Sequence, residues 1–128
     1  MATGFPAVTG DVLSAAMYNG LVAFTVTTQS GATYTVTNTD LYQVSILTSN
    51  ASTKTVTIAP DSTLTSAAVG SAITFINTGA GLLTFAAGAG VTLVSAGAAP
   101  TAPTLAQYKA ATCIRTAANS WIIVGAIA

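Results

Sequence analysis

Residues 77–93 read NTGAGLLTFAAGAGVTL, in which two Gly-Ala-Gly steps lie on either side of an apolar segment and no side chain is ionisable. Glycine supplies the backbone conformations that tight turns need. The segment between them, LLTFA, has the β-branched and aromatic content of a strand. The stretch therefore predicts a strand between two hairpin turns, at 77–81 and 87–90, in a β-rich protein.

The first glycines of this stretch share part of the spacing of a dinucleotide-binding GxGxxG loop. Gly79 and Gly81 have the spacing of its first two glycines, but Thr84 stands where the third is required. The segment that follows has a strand pattern instead of a helical one, and no acidic residue occurs after Asp61. The glycines are therefore interpreted as turn residues and not as a phosphate site.

Alternating apolar and hydroxyl-bearing residues, separated by Gly, Asn, Ser or Pro, continue from residue 21 to the end. This one-sided pattern is typical of antiparallel sheets. With no repeated helical segments, it predicts a small antiparallel β-sandwich or barrel, for which a jelly roll would fit the strand count. The residues 95–104 are predicted to form a long loop. Predicted strands cover 21–28, 32–37, 41–47, 53–59, 71–77, 82–86, 90–94, 110–116 and 120–127.

Thr-x-Thr steps recur at 25–27, 33–37, 53–57 and 63–65. Stacked threonines would be of interest as a water-ordering face of an ice-binding solenoid. A solenoid has a fixed repeat period, and these spacings are irregular. The threonines are therefore interpreted as the polar side of ordinary strands.

Charged residues are scarce: they make up 5% of the 128 residues, against about 25% in an ordinary soluble domain, and the net charge is zero. Sparse charge favours self-association and leaves sheet edges unprotected, so the chain is predicted to function in an assembly. Zero net charge also removes the attraction to nucleic acid and anionic lipid, and neither is expected as a partner. The sequence leaves open whether Lys54 and Arg115 meet Asp residues across an interface. The charged residues are Asp11, Asp40, Asp61, Lys54, Lys109 and Arg115.

The residues that most catalysis requires are missing. There is no His and no Glu, and the three Asp are far apart in the sequence. General acid–base chemistry, nucleophilic triads and most transition-metal sites need such groups, so no catalytic, cofactor-binding or metal-binding residue is predicted. A hydrolase built on two Asp that the fold brings together is the remote alternative. Cys113, the single cysteine, is expected to be small buried filler.

The start of the chain differs from the rest and suggests a division into an N-terminal segment, 1–20, and a β-domain, 21–128. The first ten residues have no pattern and are expected to form an extended arm. Leu13 and Met17 have helical spacing, which predicts a short helix over 12–19. Neither an export signal nor an apolar run of membrane-spanning length is recognised, so no export or anchoring by these routes is expected.

The C-terminal residues 121–128, WIIVGAIA, are too apolar for a strand with one face in water. The run is predicted to be buried on both sides. Either it is a central core strand, or its second face meets a neighbouring subunit.

From Gly70 onward the order of elements resembles a module found in tailed-phage virion proteins, both in head decoration or cement proteins and in fibre-like appendage proteins. The leading segment TGDVLSAAMYN, 9–19, is similar to the leading segment of phage appendage proteins. The stretches that carry the resemblance are GSAITFINTGAG (70–81), LTFAAGAGVTL (83–93), LAQYKAATCIRT (105–116) and NSWIIVG (119–125).

This resemblance implies a β-rich homotrimer in the virion, made in the host cytoplasm. The small size and the lack of shaft repeats favour a decoration protein that binds the major capsid protein on the outer head shell and stabilises it. The alternative is an appendage or fibre-tip module that binds host-surface glycans, for which only Gln107 and Tyr108 suggest a site. Expected shell contacts are Phe5, Pro6, Val8, Leu13, Met17 and Tyr18. Expected core or trimer-interface residues are Phe75, Phe85, Trp121, Ile123 and Val124.

Overall fold

The computed structural model describes residues 25–41 and 44–128, together with residue 15. Over these residues the chain is mainly β, as predicted. All nine predicted strands are found, although 21–24 of the first lie outside the described residues; the short β8 was not predicted. The elements are β1 (Thr25–Gln29), β2 (Thr33–Thr35), a 3-10 turn (Asn38–Leu41), β3 (Val44–Thr48), β4 (Lys54–Ile58), β5 (Ala72–Asn77), β6 (Leu83–Ala87), β7 (Thr92–Ser95), β8 (Thr104–Leu105), β9 (Ala110–Ala117) and β10 (Ser120–Gly125).

The described strands form two sheets. The six-stranded sheet has the order β1-β3-β5-β9-β10-β7, and the four-stranded sheet has the order β2-β4-β6-β8. From β1 to β6 the chain alternates between the sheets, and each strand from β3 to β6 lies parallel to the strand two places earlier. Antiparallel β8 and β9 then pair with β6 and β5, and β10 follows β9 as an antiparallel neighbour.

The prediction of antiparallel sheets was wrong, because both sheets are mixed: five of the eight described strand pairings are parallel. Parallel neighbours need a crossing connection, which is usually a helix. Here a strand of the opposite sheet makes that connection, so parallel pairs form without helices. The one-sided alternation arises because each sheet packs only one face on the core. Mixed pairing is not that of an antiparallel barrel or a jelly roll.

The two predicted hairpin turns are corners between the sheets. Residues 78–82 join β5 of the six-stranded sheet to β6 of the four-stranded sheet, and 88–91 lead from β6 back to β7. The first corner stacks on the preceding corner, 49–53, where the amide of Gly79 donates to the carbonyl of Thr48 (3.1 Å). A β-carbon on Gly79 would lie 2.2 Å from the Asn50 carbonyl oxygen. Close approach of two backbones therefore explains this glycine.

The Thr-x-Thr steps lie on strands that pair in register, although their spacing in the sequence is irregular. Thr33 pairs with Thr55, and Thr55 pairs with Thr84, although the two sequence intervals differ. The longer interval contains the connection 59–71 between β4 and β5. Strands therefore stack in register while the connection between them contains the extra residues, and the threonines lie on the polar side of these strands.

The inner faces of the two sheets share one hydrophobic core. Phe75 of β5 and Phe85 of β6 meet edge to face, with ring centroids 5.3 Å apart and an interplanar angle of 75°. This geometry contributes about 0.5–1.5 kcal/mol beyond the area that it buries. Cys113 is fully buried in the same core, which confirms the prediction for this residue. The large, fully buried side chains are Trp121, Phe75, Phe85, Ile46, Ile58, Leu64, Ile73, Leu83, Leu93, Leu105, Ile123 and Val36.

The predicted N-terminal arm and helix, over 1–10 and 12–19, lie outside the described residues except for residue 15. The six expected shell contacts, Phe5, Pro6, Val8, Leu13, Met17 and Tyr18, lie outside them as well. The division into 1–20 and 21–128 stays a prediction.

Candidate functional site

The charged side chains of the described residues are engaged in structural interactions, with one exception. Asp40 and Lys54 are buried, and Asp61 forms an ion pair with Arg115. Lys109 is exposed, and no ion pair involves it among the described residues. The surface that the structure describes therefore presents one unpaired charge.

Asp40 ties the 3-10 turn to β2. Its Oδ2 accepts hydrogen bonds from the hydroxyl of Tyr34 (2.6 Å) and from the amide of Thr37 (2.9 Å). Burial, together with the hydrogen bond to Asp40 and its charge, raises the pKa of Tyr34 to about 12. The carboxylate thus acts as a fixed structural acceptor, and the phenol remains protonated over the physiological range.

Asp61 and Arg115 join the β4–β5 connection to β9. Arg115 donates from Nε to Oδ1 (3.2 Å) and from Nη2 to Oδ2 (2.7 Å). Asn119 completes the cluster, because its amide donates to Asp61 Oδ2 (3.0 Å) and its Oδ1 accepts from the Asp61 amide (2.8 Å). The Arg115 hydrogen bond, followed by that of the Asn119 amide, holds the pKa of Asp61 below its usual value. The ion pair lies within the chain, which answers for Arg115 the question that the sequence left open.

Lys54 points into the space between the sheets. It begins β4, in which buried and half-buried residues alternate, and it shares the buried side with Val56 and Ile58. Its Nζ donates to the carbonyl oxygen of Gly31. Desolvation lowers the pKa of this ammonium group. No acidic side chain pairs with it among the described residues, so Lys54 meets no Asp of the described chain.

Asn77 is a buried polar centre at the end of β5. Its Oδ1 accepts from the Thr48 hydroxyl (3.2 Å) and from the Gly79 amide (3.1 Å). Its Nδ2 donates to the carbonyl oxygens of Gly81 (2.8 Å) and Leu105 (2.9 Å). All four hydrogen-bonding positions of the amide are therefore used, and they connect β3, β5, the 78–82 corner and β8.

The chemistry open to the described residues depends on their metal-ligand groups and on the state of the single thiol. Over residues 25–41 and 44–128, His, Cys, Asp and Glu come together in no group of three that would suit a metal ion. Burial raises the pKa of the Cys113 thiol, which opposes formation of a thiolate nucleophile. None of the helices in the described part is long and apolar enough to cross a membrane.

The outer face of the four-stranded sheet carries hydroxyl groups. Thr33, Thr55, Thr84 and Thr104 lie in one row across β2, β4, β6 and β8. Thr35 and Thr57 begin a second row, which Ala86 continues. These side chains are exposed or half-buried. This face is therefore well suited to contact with water.

The outer face of the six-stranded sheet is largely apolar by contrast. One row runs Ala72, Ile114, Ile122 and Val94 across β5, β9, β10 and β7. On one side of the face, a second row contains Thr28, Leu47, Ile76 and Ala110, and the central row contains Val26, Ser45, Thr74, Thr112 and Val124. Val26, Val94 and Val124 are 61%, 47% and 42% exposed, so the edges of this face present apolar surface to solvent. We call it the apolar sheet face.

Of the five residues expected in the core or trimer interface, four are buried within the chain and one is exposed. Phe75, Phe85, Trp121 and Ile123 lie in the chain's own core, each at most 1% exposed. Val124 instead points outward on the apolar sheet face. The C-terminal strand β10 lies between β9 and β7, with one side in the core and with Ile122 and Val124 on its other side.

Sequence reasoning missed Asn77, the Asp61–Arg115 pair and the apolar sheet face. Asp61 and Arg115 are 54 positions apart, and local patterns carry no signal of such a pair. The apolar sheet face was detectable in part, because Ile122 and Val124 made the C-terminal run too apolar for a strand facing water. Comparisons with models of known protein families, with curated proteins and with solved structures found no match.

Proposed function

We propose that the protein is a virion structural protein that binds the outer head shell of a tailed phage as a homotrimer and stabilises it. One observation carries the proposal: among the described residues, Lys109 alone presents an exposed charge without an ion-pair partner. Cores of protein interfaces are depleted in charged residues, since each buried charge must be desolvated. A surface of Thr, Ala, Val and Ile suits extended contact between subunits.

The state of the titratable groups supports a structural role over an enzymatic one. Asp40 holds a turn, Asp61 is bound by Arg115 and Asn119, and Lys54 is buried against a carbonyl group. A general acid or base must reach a substrate proton. These groups instead reach the protein's own backbone and side chains.

The choice of a phage head shell as the partner rests on the resemblance of residues 70–125 to virion modules. Under this proposal the N-terminal segment supplies the shell contacts, with Leu13 and Met17 on one side of the expected helix. An unpatterned arm with apolar residues gains order by docking on a partner.

Cosedimentation with head shells that lack the protein tests this proposal. The full-length chain is expected to sediment with the shells, and removal of residues 1–19 is expected to abolish binding. Leu13→Asp with Met17→Asp should weaken binding in the full-length chain, while Thr101→Asp, at an exposed position of the connection between β7 and β8, should not. Binding of the truncated chain at wild-type affinity would overturn the role of the arm.

Tyr108 favours a second candidate, glycan binding by an appendage module. Its ring is 78% exposed beside Gln107, and its φ of 61° lies in the left-handed region. The turn that closes with Lys109 N donating to Ala106 O requires this backbone conformation, which glycine adopts more easily than tyrosine. A glycan array distinguishes the two functions: hits that Tyr108→Ala removes would favour the appendage module, and an array without hits would favour the shell protein.

A further inference from the structure

The two outer faces of the molecule differ in what they offer a partner. The four-stranded sheet presents rows of threonine hydroxyls, whereas on the six-stranded sheet two rows consist mainly of Ile, Leu, Val and Ala, and the central row has a valine at each end. No charged residue of the described chain lies in the three rows of the apolar sheet face, and Lys109 precedes β9 at its margin. We infer that the apolar sheet face is the surface through which copies of this chain associate.

Two of the polar side chains of this face already satisfy each other's hydrogen bonding. Thr74 and Thr112 lie in its central row, and their hydroxyls hydrogen-bond to each other (3.1 Å). Covering them would therefore leave this bond in place and expose mainly methyl groups to the partner. The threonines of the opposite face have no such side-chain pairing in the described structure, so covering them would remove hydroxyls from water without a replacement.

Charge favours a second copy of the chain as the occupant. In the proposed trimer, three copies turn this charge-free face toward the threefold axis, so that each copy meets both neighbours without repulsion and without burying an unpaired charge. A partner that carried charged groups would find no counter-charge in the rows of this face. The same argument excludes the threonine face as the stronger self-association surface, because it lacks comparable apolar area.

The size of the face is adequate for a specific contact. Six strands at a spacing of about 4.8 Å give a width of about 29 Å, and five residues per strand give a length of about 17 Å. Each copy can therefore cover about 500 Å² before the surrounding loops are counted, which is more than half of the roughly 800 Å² per partner in a typical stable complex. Val26, Val94 and Val124 lie at the edges of this area, where exposed apolar groups remain to be covered.

This inference rests on the proposed homotrimer, and it gives that trimer a surface. Light scattering after size exclusion tests it on the full-length chain with two charge-matched variants. Val94→Lys with Val124→Lys places two charges on the apolar sheet face, and Thr55→Lys with Thr84→Lys places two on the opposite face. Both valines are more than 40% exposed, so the first variant is expected to keep its fold, as checked by near-UV circular dichroism of Trp121.

The valine variant is expected to become monomeric or to dissociate at a protein concentration at least about ten-fold higher than the wild type. The threonine variant should remain a trimer. A trimeric valine variant, a threonine variant that dissociates equally, or a monomeric wild type would each overturn the inference. Shell binding distinguishes the two proposals. A wild type that associates through this face but does not bind shells refutes only the shell function. A valine variant that binds shells as a trimer refutes only the assignment of this face as the association surface.

Discussion

A β-carbon on Gly81 would lie 1.7 Å from the carbonyl oxygen of Ser52 in the neighbouring corner of the chain. Real β-carbons do not approach an oxygen so closely, so the corner 78–82 stacks on the corner 49–53 only because this residue has no side chain. The Gly81 amide uses that proximity and donates to the carbonyl of Asn50 (3.1 Å). The glycines of the Gly-Ala-Gly step thus allow the corner 78–82 to pack directly on the backbone of the corner 49–53.

Gly81→Ala is therefore expected to destabilise the protein by about 3 kcal/mol or more, because backbone would have to move on both corners. Chemical unfolding measures the change. Gly31→Ala is the matched control, since a β-carbon there meets only the Thr33 carbonyl oxygen at 3.5 Å. That variant should stay within about 0.5 kcal/mol of the wild type. Equal stability of the two variants would show that the corners are not in close contact.

Asn77→Ala should cost about 3 kcal/mol or more, because it leaves a hydroxyl, an amide and two carbonyl groups without their partner in a buried place. The free energy of unfolding from denaturant titration gives the value. Asn38→Ala is the control, since Asn38 bonds to Thr65 and Ser66 at an exposed position. Its expected cost is about 1 kcal/mol or less. A similar small cost at Asn77 would contradict its role as the polar centre.

The Asp61–Arg115 pair predicts how stability depends on pH. Because the folded-state pKa of Asp61 lies below its usual value, the pair contributes its full stabilisation above the unfolded-state pKa of about 3.9 and loses it as the pH falls through the folded-state pKa. Asp61→Asn should therefore have a lower Tm than the wild type near pH 6, and the difference should shrink as the pH falls below about 4. A difference that stays constant over this range would show that ionisation of Asp61 does not contribute.

Trp121→Ala is expected to cost about 3–5 kcal/mol, because the indole is 1% exposed in the core. Trp121→Phe should cost less, about 1–2 kcal/mol, since the ring is retained in part and the indole Nε1, which has no hydrogen-bond partner in the described structure, is removed. Equilibrium unfolding of both variants checks the order. A cost near zero for the alanine variant would mean that the ring does not support the core.

Strand positions were predictable from the sequence because alternation and turn residues are local signals. The partner and direction of each strand were not, since β4 and β6 pair across a connection whose length the pattern of Thr55, Val56 and Thr57 does not encode. The corner glycines were recognised as turn residues, but only the structure shows that they face another backbone. In the sequence, Asn77 looks like any asparagine before a turn. Its role depends on four hydrogen-bond partners from three separate stretches of the chain, which only the structure brings together.

Four of the five residues expected in the core or interface lie in the chain's own core, so they are not the ones that a partner would touch. Trp121 and Ile123 point inward, whereas Ile122 and Val124 of the same strand point outward. The alternation along β10 therefore separates the side chains of the core from those of the apolar sheet face. Substitutions on the outer side of β10 can leave the core side chains in place.

The molar mass of the purified wild-type protein, measured by light scattering during size exclusion, tests the central claim most directly. The account predicts a stable species of three times the 12.6 kDa chain mass, because the nearly charge-free surface and the apolar sheet face favour association. A clean monomer across the accessible concentration range would contradict it. That result would also give priority to the glycan-binding role of Tyr108.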